Sequence, residues 1–294
     1  MRFRTSGILV AVVTVLALVA LPLALHFSHR AHANLVLPLD QMSGPPGTAL
    51  STAMASVIDH ELDATGGWRP NDLVIWGPDL LADNNSNRQL GILQGLRETV
   101  RVFKDHLTKV SSDRYDDNLV EADNLLRNDP TKWMLPSAES RYGEAADKLR
   151  AYAGGLAENG GRSRRVNGRT IELIRMVQAW SDLLGGAHAE LYRGDIGFFE
   201  TDDVYYRTTG RCHTLGHAVA ALEIDYAPEL KGRPALAQLF EEVRLPLSTC
   251  GASKPLVVLA GSDTSVRANH LRNLDAHVVE ARQKLYSIRD ELEK

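Results

Sequence analysis

The longest apolar stretch of the chain lies near its start, at Gly7–Phe27 (GILVAVVTVLALVALPLALHF), and contains no charged residue. At about 1.5 Å of rise per residue, a helix of this length matches the ~30 Å hydrocarbon core of a bilayer. The pattern therefore predicts a transmembrane helix at residues 7–27, with the lipid bilayer as a partner. The alternative is a signal peptide cleaved after Ala31-His32-Ala33, which the length disfavours because the apolar region of such peptides covers about 7–15 residues.

The charges that flank this stretch predict its orientation. Arg2 and Arg4 precede it, whereas only Arg30 follows closely, and Lys and Arg are enriched on the cytoplasmic side of membrane helices. The expected organisation is a cytoplasmic N-terminus at 1–6, the anchor at 7–27, a Pro- and Gly-containing linker at 28–49 and an exported domain at 50–294.

Beyond residue 50, apolar residues recur every three or four positions, the spacing that places them on one face of an α-helix. The repeat is clearest at about 170–193, 202–226 and 266–292. Less regular versions of the repeat predict three helices, at about 50–64, 116–127 and 137–157. A fourth is predicted to begin at a capping box, Ser86–Gln89, and to run to Val110. The expected fold class is all-α: one N-terminal transmembrane helix followed by an antiparallel helical bundle with long structured loops.

Two of the connections between these helices are long, at 67–85 and 249–265, and the second contains a short apolar segment, Pro255–Ala260, that is typical of a buried strand or loop. Three of the four tryptophans lie in Pro- or Gly-rich segments: Trp68, Trp76 and Trp133. An aromatic ring in such a segment commonly packs it onto the core, and we expect that here, with a ligand platform as the alternative.

Composition and charge exclude some classes of protein. With 44% hydrophobic and 24% charged residues the chain resembles an ordinary globular protein, so extended disorder is not expected. A net charge of −4 argues against a nucleic-acid partner, because binding phosphates requires a basic face. The basic cluster at Gly161–Arg169 (GRSRRVNGR) is interpreted as a solvated loop, the alternative being a contact with anionic lipid head groups.

The two cysteines, Cys212 and Cys250, both lie in the part of the chain predicted to be exported. An oxidising compartment permits a disulfide between them. The sequence cannot show that their Cα atoms come within bonding range, so two buried thiols are the alternative.

His213 and His217, in the segment RCHTLGH, form the clearest candidate for chemistry. Histidines four residues apart share one face of a helix and can bind one zinc ion. The segment lacks the glutamate of a metalloprotease helix and a third ligand on the same face, and the pair points almost opposite the apolar seam that contains Cys212. We therefore expect a polar face that packs on a second layer or is exposed to water, with zinc at His213 and His217 as the alternative and no other cofactor.

Acidic pairs occur at Asp116-Asp117, Asp202-Asp203 and Glu241-Glu242. Adjacent carboxylates on a helix diverge, so these pairs are poor candidates for joint acid–base catalysis. The sequence contains no phosphate-binding glycine loop and no G-x-S-x-G elbow, and it predicts no catalytic residue.

Four segments carry a resemblance to a known family: Gly67–Asp72 (GWRPND), Trp133–Tyr142 (WMLPSAESRY), Val204–Leu230 and Asn269–Leu285. Together they resemble an uncharacterised family of Gram-negative bacteria, domain of unknown function 2333. The resemblance implies a single-pass inner-membrane protein with a helical periplasmic domain, and it implies no activity.

These observations lead to one expected function and two alternatives. We expect a scaffold or accessory subunit of an envelope complex, with other envelope proteins as partners and no catalysis. The first alternative is a metal-binding protein or metal-dependent hydrolase that uses His213 and His217. The second is a module that binds lipid or an envelope polymer through the loop tryptophans and the arginines of residues 162–169.

Overall fold

The computed structural model describes residues 2–32, 34–64, 66–72, 83–108, 115–157, 163–166, 170–197, 200–255, 257–261 and 268–294. Within these ranges the fold is all-helical, which confirms the predicted class, and the β-type pairing is limited to an isolated antiparallel bridge between Ala260 and Asn269. The helices are α1 Arg2–His32, α2 Thr48–Asp59, α3 Asn84–Val102, α4 Asp117–Leu126, α5 Ala138–Ala157, α6 Thr170–Tyr192, α7 Thr201–Asp225, α8 Ala227–Lys231, α9 Pro234–Ala252 and α10 His270–Leu292.

The N-terminal helix α1 corrects the prediction of a membrane anchor. Its side chains at residues 7–20 are exposed and almost all apolar. Among the residues that the structure describes, no helix combines the length and apolar character needed to cross a membrane. This finding contradicts the transmembrane helix at 7–27 and the single-pass inner-membrane, periplasm-facing placement that rested on it.

Helix α7 lies at the centre of the bundle and packs against α2, α3 and α9. Its approach to α3 is close because each helix carries a glycine where the backbone of the other passes. A Cβ atom at Gly91 of α3 would lie 1.9 Å from the carbonyl oxygen of Arg207, and one at Gly210 of α7 would lie 2.0 Å from that of Arg88. Because glycine has no side chain, the two helix backbones can approach this closely, and the two glycines set the distance between the helices.

The C-terminal end of α7 also fixes the start of α2. Gly47 precedes α2 with a left-handed φ of 100° and supplies no side-chain cap. The carboxylate of Asp225 instead accepts hydrogen bonds from the backbone N–H groups of Ala49 and Leu50, at 3.0 and 2.9 Å. Burial raises the pKa of Asp225 to about 6, although these hydrogen bonds act in the opposite direction.

Helix α10 packs against α6 and α9 and is a core helix. Its predicted apolar seam is buried throughout: Leu271, Leu274, Val278, Ala281, Leu285, Ile288 and Leu292. The helix begins at His270, four residues later than predicted, where the side chain of Asn269 caps it by accepting from the N–H of Arg272.

Other element predictions were incomplete. Helices α8 and α9 were not predicted, and α9 contains Pro246 in its interior, a residue that usually ends a helix. Helix α3 begins at Asn84, so the capping box predicted at Ser86–Gln89 lies inside its first turns. Two π-helical turns, at His60–Ala64 and Phe103–Leu107, extend α2 and α3.

The loop tryptophans differ from one another. Trp68 packs as expected: it is buried, its ring lies edge-on against Tyr142, and its indole N–H donates to the carbonyl oxygen of Pro130 at 2.8 Å. Trp133 does not pack onto the bundle: 57% of its surface is exposed. Trp76 lies outside the described residues.

Candidate ligand-binding cleft

An open cleft of about 650 Å³ lies between α7, α9 and the segment 34–39 that precedes α2. Its volume falls within the ~300–1,000 Å³ that is usual for sites that bind small ligands. Most of the lining is apolar and includes Leu37, Ala220, Leu245 and Leu247. We call this cavity the cleft.

Both candidate histidines line the cleft, one helical turn apart on α7. Leu215, from the apolar seam of α7, is completely buried, whereas Cys212 of the same seam is buried but also lines the cleft. Helix α9 passes very close, since a Cβ atom at Gly251 would lie 2.9 Å from the Cα atom of His213. The packing of α9 against α7 therefore creates the wall in which His213 sits.

The cysteines adjoin this site. In the structure Cys212 of α7 is bonded to Cys250 of α9, and their Cα atoms are 5.8 Å apart. Both residues are fully buried. The disulfide thus joins two helices that line the cleft, at the residue that precedes His213.

The two imidazole rings pack against each other edge to face, with centroids 4.6 Å apart and planes inclined by 83°. Burial lowers the pKa of His213 well below its ordinary value and that of His217 to about 4. The positive charge of Arg88 and the nearby imidazole of His60 act in the same direction on both. Both rings are therefore neutral at neutral pH.

Two imidazole nitrogens at this site are buried without a hydrogen-bond partner among the described residues. They are Nε2 of His213 and Nε2 of His60, which begins the π-helical turn after α2. Most buried polar atoms in native proteins are hydrogen-bonded, so each exception calls for a physical explanation. His60 was not predicted as part of the site, because only the packing of α2 on α7 brings it near His213.

Zinc binding at His213 and His217 stays the alternative to a polar face. Within the described parts of the chain, no three His, Cys, Asp or Glu side chains are placed to hold one metal ion. Cys212 is engaged in the disulfide. An ion at this pair would have two protein ligands, whereas zinc sites in proteins commonly have three or four.

Charged groups at the cleft lie near its rim. Arg244 lines the cleft and forms an ion pair with Glu223 at 3.3 Å. Lys254 donates to the Oδ1 atom of Asn34 at 2.6 Å, which ties the start of the segment 34–39 to the end of α9. Glu241 also lines the cleft, whereas its neighbour Glu242 binds Lys284 of α10, so this acidic pair diverges as expected.

A carboxylate pair lies away from the cleft, where α3 and α7 begin, and one of its members, Asp83, is buried. The sequence pairs Asp202 with Asp203, but the structure places Asp83, from the start of α3, within hydrogen-bonding reach of Asp203. Burial, followed by the negative charges of Asp203 and Asp202, raises the pKa of Asp83 to about 8. The sequence could not indicate this pair because its members are 120 residues apart and only the contact between α3 and α7 joins them.

Comparison with known proteins identifies the family. The family model described as "uncharacterized protein conserved in bacteria" (DUF2333) matches residues 2–194 of the 294-residue chain. The match includes the segments Gly67–Asp72 and Trp133–Tyr142 and ends before α7 begins. Neither the curated proteins nor the solved structures gave a match to this chain. The chain therefore belongs to the DUF2333 family of bacterial proteins.

Proposed function

We propose that this protein acts by binding, and that the cleft receives an uncharged, mainly apolar group that carries one hydrogen-bonding atom. The observation that carries the proposal is His213, which lines the cleft and whose Nε2 atom is buried without a hydrogen-bond partner in the described structure. Leaving a buried polar atom unsatisfied costs about 1–3 kcal/mol, which a ligand that pairs with it would recover.

The charge of the site supports an uncharged ligand. The walls are largely apolar, both imidazoles are neutral at neutral pH, and Arg244 at the rim is paired with Glu223. A group with a net charge would lose its hydration on entering, and the charged residues of the lining, Arg244 and Glu241, lie at the rim. A polar atom on an apolar body would lose little and would gain the imidazole as a partner.

Binding fits the site better than catalysis does. A histidine with a pKa of about 4 is a weak base at neutral pH, and efficient general bases have pKa values near the working pH. The low basicity of the imidazoles supports the accessory, non-catalytic role expected from the sequence, with the cleft as its working surface.

The proposal is tested with two fluorescent probes of nearly equal shape, 1-naphthol and naphthalene, titrated into the full chain. We expect 1-naphthol to bind about three- to tenfold more tightly, because its hydroxyl can donate to or accept from the His213 ring. His213→Phe should remove that preference and leave naphthalene binding intact. His277→Phe, on α10 outside the cleft, is the matched control and should keep the preference.

A cleft-filling variant shows where the probes bind. Ser248 lines the cleft and is exposed, so Ser248→Trp should abolish binding of both probes without disturbing the core. If neither probe binds the unmodified chain, or if both bind Ser248→Trp unchanged, the proposal is wrong.

A metal ion is the second candidate, favoured by the spacing of two neutral imidazoles on one helix face. The positive charges of Arg88 and Lys254, which lower the pKa of His213, act against a cation at this position. Elemental analysis and zinc titration of the purified chain decide between the two. Stoichiometric zinc that is lost in His217→Gln would favour the metal site over the apolar ligand.

A further inference from the structure

An exposed apolar loop connects α4 and α5. Three consecutive large side chains project from it, with 57% of Trp133, 62% of Met134 and 94% of Leu135 exposed. Exposed apolar residues scattered singly are normal on a protein surface, but a contiguous group of this size commonly marks an interaction site. We call Trp133–Leu135 the apolar tip.

The backbone that carries the apolar tip is held in place from several directions. The indole of Trp68 donates to the carbonyl oxygen of Pro130 at 2.8 Å, and the side-chain amide of Asn71 donates to that of Lys132 at 3.3 Å. The N–H of Ala138 also donates to the Lys132 carbonyl oxygen, at 2.8 Å, which closes the loop on itself. A preorganised loop loses little conformational entropy when it binds, so its exposed side chains are presented for contact.

We propose that the apolar tip of one copy of this chain inserts into the cleft of a second copy. The inference rests on the proposed function, since it names the occupant of the same site. Trp133 has the chemistry that the cleft calls for: an uncharged apolar ring with a single hydrogen-bond donor, the indole N–H. Nε2 of His213 is the candidate partner for that donor.

The charges beside the two surfaces are complementary. Lys132 immediately precedes the apolar tip, and Glu241 lies at the rim of the cleft. A tip seated in the cleft brings this cation and this anion to the same edge of the contact. Charge complementarity of this kind sets orientation more than it sets affinity.

A lipid surface is the competing occupant of the apolar tip, and the surrounding charges disfavour it. Residues that adopt an interfacial position in anionic membranes are usually accompanied by an excess of basic side chains. Near the tip, Arg127 and Arg141 are instead paired with Asp123 and Glu144. The mixed charges resemble the polar rim of a protein–protein interface.

The contact joins two different surfaces, so it is heterologous and leaves a free tip and a free cleft at the ends of each assembly. The chain should therefore associate in a concentration-dependent way into rings or short linear oligomers. Sedimentation velocity of the full chain measures this directly.

Trp133→Ser should weaken self-association by about tenfold to a hundredfold, as expected for the loss of a central aromatic anchor. Ile171→Ser, an equally exposed apolar position on α6, should leave self-association unchanged.

Cysteine cross-linking tests which surfaces meet. Both native cysteines are in the disulfide, so introduced thiols report specific contacts. Leu135→Cys places a thiol on the tip, and Leu245→Cys places one on the exposed rim of the cleft. Mixing the two variants under mild oxidation should give a disulfide-linked dimer that excess 1-naphthol suppresses. Leu135→Cys mixed with Ile171→Cys should give background only.

Each outcome separates this inference from the proposed function. Equal cross-linking with Leu245→Cys and Ile171→Cys, or a dimer formed by Leu135→Cys alone in equal yield, overturns the tip-in-cleft contact. If 1-naphthol binds the cleft of a chain that stays monomeric, the inference fails and the proposed function stands. If the monomeric chain floats with phosphatidylcholine vesicles and Trp133→Ser does not, the tip contacts lipid and the inference is wrong.

Discussion

Gly210 of α7 lies directly against the carbonyl oxygen of Arg88 in α3, so closely that a Cβ atom at position 210 would come within 2.0 Å of that oxygen. The contact is between backbones and leaves no side chain that could move aside. It holds the helix that carries His213 and His217 at a fixed distance from α3.

Gly210→Ala should therefore destabilise the fold strongly. The added methyl group forces the two backbones apart, and overpacking of a rigid contact typically costs about 1–3 kcal/mol or more. The free energy of unfolding, measured by urea denaturation, should fall by at least that amount. Gly154→Ala is the matched control, because a Cβ atom at this helical position of α5 meets nothing within 4 Å. That variant should be neutral or more stable by up to about 1 kcal/mol, and equal losses in both variants would contradict the packing argument.

Asp225→Ala should destabilise the chain by about 1–2 kcal/mol, because it removes the acceptor for the N–H groups of Ala49 and Leu50 at the start of α2. Asp225→Asn keeps one oxygen and should cost less. The pH dependence supplies a second readout. Burial raises the pKa of Asp225 to about 6 from 3.8, so the native state binds the extra proton between these values.

The unfolding free energy of the unmodified chain, relative to Asp225→Asn, should consequently decrease as the pH rises from about 4 to 6.5, by on the order of 2–3 kcal/mol. Denaturant titrations at several pH values measure this difference. A difference that does not change over this range would show that Asp225 is ionised in the native state at pH 4.

His217 should produce a pH dependence of the opposite sign. Its pKa falls to about 4 from 6.5 on burial, so the unfolded chain takes up the proton first as the pH drops. Stability that is present above pH 6.5 should be lost between about pH 6.5 and 4, by on the order of 2–3 kcal/mol, and His217→Gln should flatten this slope. A proton NMR titration of the His217 ring in the native protein should give a midpoint near 4. A midpoint near 6.5 would mean that the imidazole is solvated.

Removal of the cross-link between Cys212 and Cys250 should lower the free energy of unfolding by about 2–4 kcal/mol, since the bond closes a long loop in the unfolded chain. The double variant Cys212→Ala/Cys250→Ala should show this loss in denaturant titrations. The unmodified chain should approach the same value when a reductant is present during unfolding. If the reductant also destabilised the double variant, the effect would have another origin.

The helical seams were predictable because they depend on local spacing. In α10 the apolar residues spaced three or four positions apart, from Leu271 to Leu292, are all buried. The seam of α7 also lies in the core and consists of Cys212, Leu215, Val219 and Leu222. Helix α9 escaped prediction because Pro246 interrupts its pattern, and tertiary packing tolerates a proline that an isolated helix would not.

The candidate site was only partly predictable. The spacing of His213 and His217 on one helix face follows from 3.6 residues per turn, and the structure places both in the cleft. The neighbours that define their chemistry come from other elements: His60 from the end of α2, Gly251 from α9 and the segment 34–39. The same limit applies to Trp133, since a sequence does not reveal whether a loop ring turns toward the core or toward solvent.

The all-helical class, the faces that the helices bury and the pairing of two histidines on one turn follow from the amino-acid pattern, because each depends on residues within about two turns of one another. Only the packed fold shows that α7 is central, that Asp225 caps a helix 175 residues away, and that α9 lines a cleft beside neutral imidazoles. These features depend on contacts between segments that are distant in the sequence, and such contacts stabilise the protein only when the whole bundle packs.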